Sequence, residues 1–291
     1  MGTLRLLASI GAAFLFAGTA LAQGAAERGR YIFDAAGCLG CHTDEKAGTQ
    51  ALAGGPGLHT PFGVFFAPNI TPHPEAGIGR WSEADFLTAL QRGVGPDGKH
   101  YFPVFPYPSY TKARPEDLRD LFAFLKTVPP SDKPSRPHEV KFPFSIRTAQ
   151  IPWQWLNFTP GEWQPVPGRD AVWNRGAYLV EALLHCGECH TPRNIMGGLD
   201  RSRWLTGARL SVDNLAPNLT SGAGGLGDWS ASDIADSLSL GMSPKGNFFG
   251  NEMAEVVRNS TSKLTREDRA AIAAYIKALP AQPTSVSPAS R

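Results

Sequence analysis

Two short stretches of this chain combine cysteine and histidine at a spacing that suits covalent attachment of a cofactor. They are Cys38–His42 (CLGCH) and Cys186–His190 (CGECH), and together they contain all four cysteines. Two thiols three positions apart can form thioethers with the vinyl groups of one porphyrin, and the adjacent imidazole can bind its iron. The spacing therefore predicts two covalent c-type haems, whose attachment residues and proximal ligands are Cys38, Cys41, His42, Cys186, Cys189 and His190.

Two other uses of paired cysteines compete with this interpretation. A Cys-x-x-Cys pair can be a thioredoxin-like redox pair, and two such pairs can form a four-thiolate zinc site. Neither chemistry requires a histidine directly after the second cysteine, yet this chain has one in both motifs. The haem interpretation is therefore preferred.

The first 22 residues have the pattern of a secretory signal peptide. Arg5 precedes an apolar run from Leu6 to Phe16, and Ala20-Leu21-Ala22 is a small-x-small cleavage site. The run is short for a membrane span, which favours cleavage over anchoring. We expect a periplasmic protein, soluble or peripherally associated with the membrane, because bacteria attach covalent haem outside the cytoplasm.

The composition restricts the classes of partner. Lys and Arg number 28 against 26 Asp and Glu, so the chain has no excess of positive charge for nucleic acid. The sequence also has 25 Pro and 31 Gly, which predicts long loops. These loops need an apolar centre to pack on, and a covalent haem would provide one.

The elements that position the two motifs occur twice, about 148 residues apart. Arg28-Gly29-Arg30-Tyr31 recurs as Arg175-Gly176-Ala177-Tyr178, and Pro68-Asn69-Ile70-Thr71 recurs as Pro217-Asn218-Leu219-Thr220. We therefore predict an all-α protein with two tandem cytochrome c-type domains, each of about three helices and long loops around a haem. The predicted divisions are a signal peptide (1–22), domain 1 (23–128), a Pro/Trp-rich ordered strap (129–170), domain 2 (171–280) and a polar tail (281–291).

Capping residues predict where the helices of each unit begin. Ser82 and Ser230 each precede an Asp by three residues, which is the pattern of a capping box at the middle helix. The last helix is expected to start after Pro115 in the first unit and at Thr265 in the second. The strap contains Trp153, Trp155 and Trp163, more aromatic surface than a free linker carries. We expect it to pack across both domains, with docking of a partner as the alternative.

At these residues the chain resembles the multihaem cytochromes c that include the cytochrome subunits of periplasmic alcohol, aldehyde and sugar-acid dehydrogenases. The resemblance covers nearly the whole mature chain. Besides the two CxxCH motifs, it rests on 68–72 (PNITP), 77–82 (GIGRWS), 107–110 (YPSY), 190–194 (HTPRN) and 253–257 (MAEVV). It implies electron transfer from a dehydrogenase to the respiratory chain, with His42, His190 and Met253 as iron ligands. Those subunits usually carry three haems, and this chain has motifs for two.

The second axial ligand differs between the two halves. Met196, Met242 and Met253 all lie in the second half. We prefer Met253, which follows a glycine-containing loop and precedes the last helix, and keep Met242 as the alternative. Phe105 occupies the corresponding position in the first half and has no lone pair for iron. That haem is therefore expected to be open, to bind water or to take a histidine, the candidates being His59, His73 and His100.

Two functions follow from this pattern. The first is a dihaem electron carrier, reduced by a periplasmic dehydrogenase and oxidised by a cytochrome, a quinone-linked complex or an oxidase. The second is a dihaem redox enzyme of the peroxidase or thiosulfate-oxidising type, which would use an open or unusually ligated haem in the first half. The sequence favours the carrier, because no acid–base group is recognisable beside Phe105.

Overall fold

The computed structural model describes residues 23–211 and 214–286. The predicted signal peptide lies outside these residues. The described chain is mostly helical, as predicted, with a few short strands that the all-α prediction did not include. The first half contains α1 (23–35), α2 (Cys38–His42), β1 (Gly57–Thr60), β2 (Gly63–Phe66), α3 (Glu83–Arg92), α4 (Tyr107–Tyr110) and α5 (Pro115–Leu125).

The second half repeats this order with changes near its haem motif and before its last helix. A connecting segment contains β3 (Glu139–Val140), a 3-10 turn (Arg147–Ala149) and α6 (Gln150–Asn157). There follow α7 (Ala171–Tyr178), a π-helical turn (Leu179–Leu183), α8 (Gly187–His190), a 3-10 turn (Arg201–Arg203), β4 (Ala208–Arg209), β5 (Leu215–Ala216), α9 (Ala231–Leu240), α10 (Asn251–Asn259), a 3-10 turn (Thr261–Lys263) and α11 (Arg266–Lys277).

Each half brings its first and last helices into close contact at a glycine. A Cβ atom on Gly29 would lie 1.8 Å from the carbonyl oxygen of Asp120, and one on Gly176 would lie 1.9 Å from that of Ala271. Only glycine permits this separation, because any side chain would overlap the facing backbone. This contact holds the first helix of each half against the last helix of the same half. The haem motif follows directly after the first helix, so the contact also positions the motif.

The predicted helix starts are confirmed. Ser82 and Ser230 both form capping boxes with the Asp three residues later. Thr265 caps α11, and α5 begins at Pro115. The sequence analysis did not predict α10, which separates the middle and last helices of the second half. Its run of Glu, Met and Ala favours a helix, whereas the corresponding proline-rich stretch of the first half permits only the four-residue α4.

The two halves exchange equivalent hydrogen bonds. The hydroxyl of Tyr31 donates to Asp268 at the start of α11, at 2.5 Å, and the hydroxyl of Tyr178 donates to Asp117 at the start of α5, also at 2.5 Å. Each tyrosine also accepts a backbone N–H from the cap of that helix. Because the contacts are reciprocal, the first helix of each half lies against the last helix of the other.

The segment from 129 to 170 contacts both halves. Its strand β3 pairs with β2, so β1, β2 and β3 form one antiparallel sheet in the first half. The indole of Trp153 donates to the carbonyl of Met196 in the second half at 2.8 Å, and the backbone N–H of Trp163 donates to Lys112 in the first half at 2.9 Å. The domain boundaries themselves stay predictions. In the part of the chain that the structure describes, every helix is too short or too polar to cross a bilayer.

Candidate haem-binding sites

The first motif presents its histidine with one ring nitrogen already engaged. α2 spans Cys38–His42, so the two thiols and the imidazole lie within a single helical segment. The Nδ1 atom of His42 is 2.7 Å from the carbonyl oxygen of Pro68. A carbonyl oxygen can only accept, so Nδ1 carries the proton and Nε2 keeps its lone pair for a metal. This is the tautomer that a proximal iron ligand requires.

The second motif reproduces this arrangement. The Nδ1 atom of His190 donates to the carbonyl oxygen of Pro217 at 2.8 Å, and the thiols of Cys186 and Cys189 precede it on the same turn. The structure thus groups each set of predicted attachment residues within one short helical segment. The donor set of each motif, two thiols and an imidazole with a free Nε2, fits a covalently attached haem.

The Pro-Asn-x-Thr sequences explain how the carbonyl acceptors are held. The side-chain oxygen of Asn69 accepts from the backbone N–H of Thr71 at 2.9 Å and from its hydroxyl at 2.7 Å. Asn218 accepts from the backbone N–H of Thr220 at 2.8 Å in the second half. The Asn and Thr residues of these turns are buried, whereas the two prolines are exposed. The turns fix the preceding proline carbonyl opposite the imidazole, which accounts for the recurrence of this sequence in both units.

Burial sets the titration behaviour of both motifs. It lowers the pKa of His42 and of His190, although the hydrogen bonds to Pro68 and Pro217 oppose this change. Burial also raises the pKa of Cys38 and of Cys186 to about 12 each. A neutral imidazole is the form that binds iron, so a lowered histidine pKa suits this role. The raised cysteine pKa reflects apolar surroundings, which disfavour a charged thiolate and suit a porphyrin. Among the described residues, no three His, Cys, Asp or Glu side chains gather into a metal site of their own.

Met253 follows the glycine-containing loop, as predicted, and lies near the start of α10. It is half-buried on α10, which packs against α2 of the other half. Burial and then the charge of Glu255 raise the pKa of Cys41. The charge of Glu252 is a minor contribution to the pKa of Cys189, which burial first and Glu188 next raise to about 11. α10 therefore lies within electrostatic reach of both motifs.

In the first half, aromatic packing replaces methionine. Phe105 is half-buried, with its ring centroid 5.6 Å from that of Tyr101 and 5.8 Å from that of Tyr110. The Nδ1 atom of His100 is 2.9 Å from the side-chain oxygen of Gln154 in α6. The Nδ1 atom of His73 accepts from two backbone N–H groups of its own turn, and His59 is exposed on β1.

A contact that sequence reasoning missed joins the two motifs. His185, directly before Cys186, has the left-handed φ of 43°. Its Nε2 atom is 3.4 Å from the carbonyl oxygen of Ala36, and its ring meets Tyr110 edge-on at 5.5 Å. A difference between the two copies of the repeat, glycine in one and histidine in the other, could have indicated this contact. Gly37 precedes Cys38 with a φ of 63°, so a histidine stands in the second half where the backbone favours glycine.

The comparisons with known proteins agree with this geometry. The family model described as "Cytochrome c" matches residues 26–129. A "Diheme cytochrome c-type" protein of Cereibacter sphaeroides is 47% identical over 275 residues, covering 92% of this chain and 89% of its own. This chain belongs to the cytochrome c family. Together these matches support two c-type haems, each with its iron.

Other relatives are parts of dehydrogenases. A "Fructose dehydrogenase cytochrome subunit" of Gluconobacter japonicus is 38% identical, covering 89% of this chain and 53% of its own length. An "Alcohol dehydrogenase (quinone), cytochrome c subunit" of Gluconacetobacter polyoxogenes is 36% identical, covering 97% of this chain and 63% of its own. The chain therefore spans only about half to two thirds of the length of these two subunits.

Proposed function

We propose that this cytochrome c takes electrons from a dehydrogenase and passes them to the respiratory chain in the periplasm. Its similarity to cytochrome subunits of dehydrogenases supports a dehydrogenase as the donor. The observation that carries the proposal is the adjacency of the two haem motifs, because His185, directly before one motif, lies 3.4 Å from the carbonyl oxygen of Ala36, two residues before the other. A carrier with two redox centres needs them close together.

The residues have separate roles in this proposal. Cys38 and Cys41 in the first half, and their counterparts Cys186 and Cys189 in the second, attach the two haems through thioethers. When bound, each haem would supply an iron that can take up and release one electron. His42 and His190 would bind that iron through Nε2, while the Pro68 and Pro217 carbonyls accept hydrogen bonds from their Nδ1 atoms. Met253 is the residue proposed to supply a further iron ligand in the second half.

A second contact between the halves lies at the second haem motif itself. The Ser109 hydroxyl donates to Glu188 within the second motif, at 2.9 Å, so α4 of the first half also touches it. Each half therefore places the segment before its last helix against the haem motif of the other half.

A redox enzyme is the second candidate, and one observation favours it. Phe105 occupies the position of Met253 in the repeat, and its own ring, which packs against Tyr101 and Tyr110, offers no ligand to iron. An open iron would bind small molecules such as peroxide. The carrier remains the preferred function, because an open position without placed acid–base groups is only part of an active site.

A redox titration of the purified holoprotein, together with assays of turnover on hydrogen peroxide and thiosulfate, separates the two functions. A carrier should show two reversible one-electron steps and no turnover with hydrogen peroxide or thiosulfate. Deletion of the gene should also abolish oxygen-linked oxidation of an alcohol, sugar or sugar acid by whole cells, while dye-linked dehydrogenase activity persists. Sustained turnover with peroxide or thiosulfate would favour the enzyme, and unchanged oxygen-linked oxidation of all these substrates would contradict the proposed donor.

A further inference from the structure

One position near the haem motif carries a large aromatic ring in the second half and a methyl group in the first. Leu52 and Leu205 are equivalent, because the backbone N–H of each donates at 3.0 Å to the hydroxyl of the threonine that follows its motif. Both also have a left-handed φ, of 65° and 58°. The residues directly before them are Ala51 and Trp204. The fold therefore places an alanine in the first half where the second half has an indole.

The indole of Trp204 packs directly on the second haem motif. A Cβ atom on Gly187, inside that motif, would lie 2.2 Å from the Trp204 ring, so only glycine leaves room for the indole there. The indole N–H donates to the hydroxyl of Tyr275 at 3.0 Å, and that hydroxyl donates to Glu181 at 2.9 Å. The second half thus shows that this space accepts one planar bicyclic ring.

The corresponding space in the first half is a cavity of about 220 Å³. Ala51 and Leu39 line it, at the positions that Trp204 and Gly187 hold in the second half. Leu39 occupies part of the space, and the cavity is what remains. Among the described residues that line the cavity there is no cysteine or histidine. The cavity is therefore separate from the haem site, although it adjoins the first motif through Leu39.

The aromatic wall of the cavity also has an equivalent in the second half. Phe124 lines the cavity, with its ring centroid 5.0 Å from that of Phe33. A Cβ atom on Gly29 would lie 2.9 Å from the Cβ of Phe124, and one on Gly176 would lie 3.0 Å from the Cβ of Tyr275. Phenylalanine lacks the hydroxyl that accepts the indole N–H in the second half. A ring that enters the first half therefore meets apolar carbon on this side.

The charged and polar side chains of the lining already have partners. Arg30 and Lys263 both pair with the carboxylate of Asp34, at 3.1 and 3.2 Å. The side-chain amide of Gln50 donates to the carbonyl of Pro129 at 2.9 Å. An anionic ligand would have to compete with Asp34 for the two cations, whereas an uncharged one would leave these pairs intact. Arg30 is exposed, so the cavity opens to solvent on that side.

We propose that this cavity binds an uncharged planar aromatic molecule of one or two rings, in the place that Trp204 fills in the second half. The cavity is smaller than the about 300–1,000 Å³ typical of sites for larger ligands, so it suits a single small ring system. Apolar cavities lined by aliphatic and aromatic side chains bind molecules such as benzene, because the ligand and the lining both leave water. A ligand bound here would contact Leu39, inside the first haem motif.

Calorimetric titration of the full holoprotein with indole tests this proposal. The native protein should bind one indole per chain, and indole-3-carboxylate should bind at least fivefold more weakly, because its charge competes with Asp34. The double variant Leu39→Gly/Ala51→Trp copies the second half and should weaken indole binding at least tenfold, since its own ring takes the space. Ala51→Leu is a milder variant that should weaken binding about threefold or more by filling part of the cavity.

Matched variants elsewhere separate this site from general adsorption. Ala47→Trp adds an indole at an exposed position of a neighbouring loop and should change the affinity less than twofold. Trp204→Ala should open the equivalent space in the second half and bind a second indole per chain. A native protein that binds no indole up to its solubility limit would overturn the proposal. Undiminished binding by Leu39→Gly/Ala51→Trp or Ala51→Leu, or a single site in Trp204→Ala that retains both haems, would do the same.

Discussion

The two halves share the side of the site that binds iron through histidine and differ on the opposite side. His42 and His190 bond to Pro68 and Pro217 at nearly equal distances. The segments before the last helices do not match, because the first half has the four-residue α4 and the second the nine-residue α10. The shared side depends on a turn whose geometry tolerates few changes, whereas the other side depends on a loop that can change in length.

The largest effect is expected from removing a cysteine that attaches a haem, which tests whether each half depends on its haem for stability. Cys189→Ala should remove the haem of the second half and destabilise that half, because apolar surface that the haem would cover is left in contact with water. A pyridine haemochrome assay should fall from two haems per chain to one. Cys41→Ala is the matched variant and should give the same stoichiometry from the first half. One or three haems in the native protein would contradict the assignment.

Next in size is the loss of the proposed methionine ligand. Met253→Ala should abolish the weak far-red absorption band of sulfur-ligated ferric haem and lower the potential of that haem, because thioether sulfur favours ferrous iron. Met242→Ala is the control and should leave the band unchanged. If Met242→Ala removes the band and Met253→Ala does not, the ligand has been assigned to the wrong methionine.

The converse substitution tests whether the first haem lacks a sulfur ligand. Native protein should have only one sulfur-ligated haem, and its first haem should bind cyanide when oxidised or have the lower potential if a histidine replaces sulfur. Phe105→Met supplies sulfur at the corresponding position and should increase the far-red band. Phe105→Leu provides an apolar control without sulfur. Two low-spin His/Met haems in the native protein would contradict the asymmetry.

Smaller effects are expected at the reciprocal contacts between the halves. Tyr178→Phe should reduce the free energy of unfolding by about 2 kcal/mol, because Tyr178 is buried and its hydroxyl bonds to the carboxylate of Asp117. Tyr31→Phe should cost about 1 kcal/mol, since this tyrosine is only half-buried. Urea unfolding of the holoprotein measures both. A larger loss from Tyr31→Phe would reverse the expected order.

The smallest effect concerns the residue before each motif. His185→Gly should change the free energy of unfolding by less than about 1 kcal/mol, because relief of the left-handed backbone offsets the lost contact with Ala36. His185→Ala should be less stable than His185→Gly by about 1–2 kcal/mol, since alanine keeps the strain and also loses the contact. Equal stability of the two variants would show that this conformation imposes no cost.

Local patterns in the sequence determined much of this protein. Cysteine and histidine spacing predicted two haems, which the family comparisons support. Ser82 and Ser230 predicted helix starts that the structure confirms, because a capping box involves only residues close in the chain. The mostly helical fold was also predictable, because helix starts are marked by residues that lie close together in the chain. The short sheet was not, since β3 pairs with β2 across a long stretch of chain.

Contacts between distant residues were decided by the tertiary structure alone. The spacing of Cys38 and Cys186 says nothing about the distance between their motifs, yet the fold brings His185 against Ala36. It also places α10 of the second half on α2 of the first. These contacts arise when two similar units bury their surfaces against each other, and no local pattern encodes that packing. Sequence determined the chemistry of each site, and packing determined how the sites face one another.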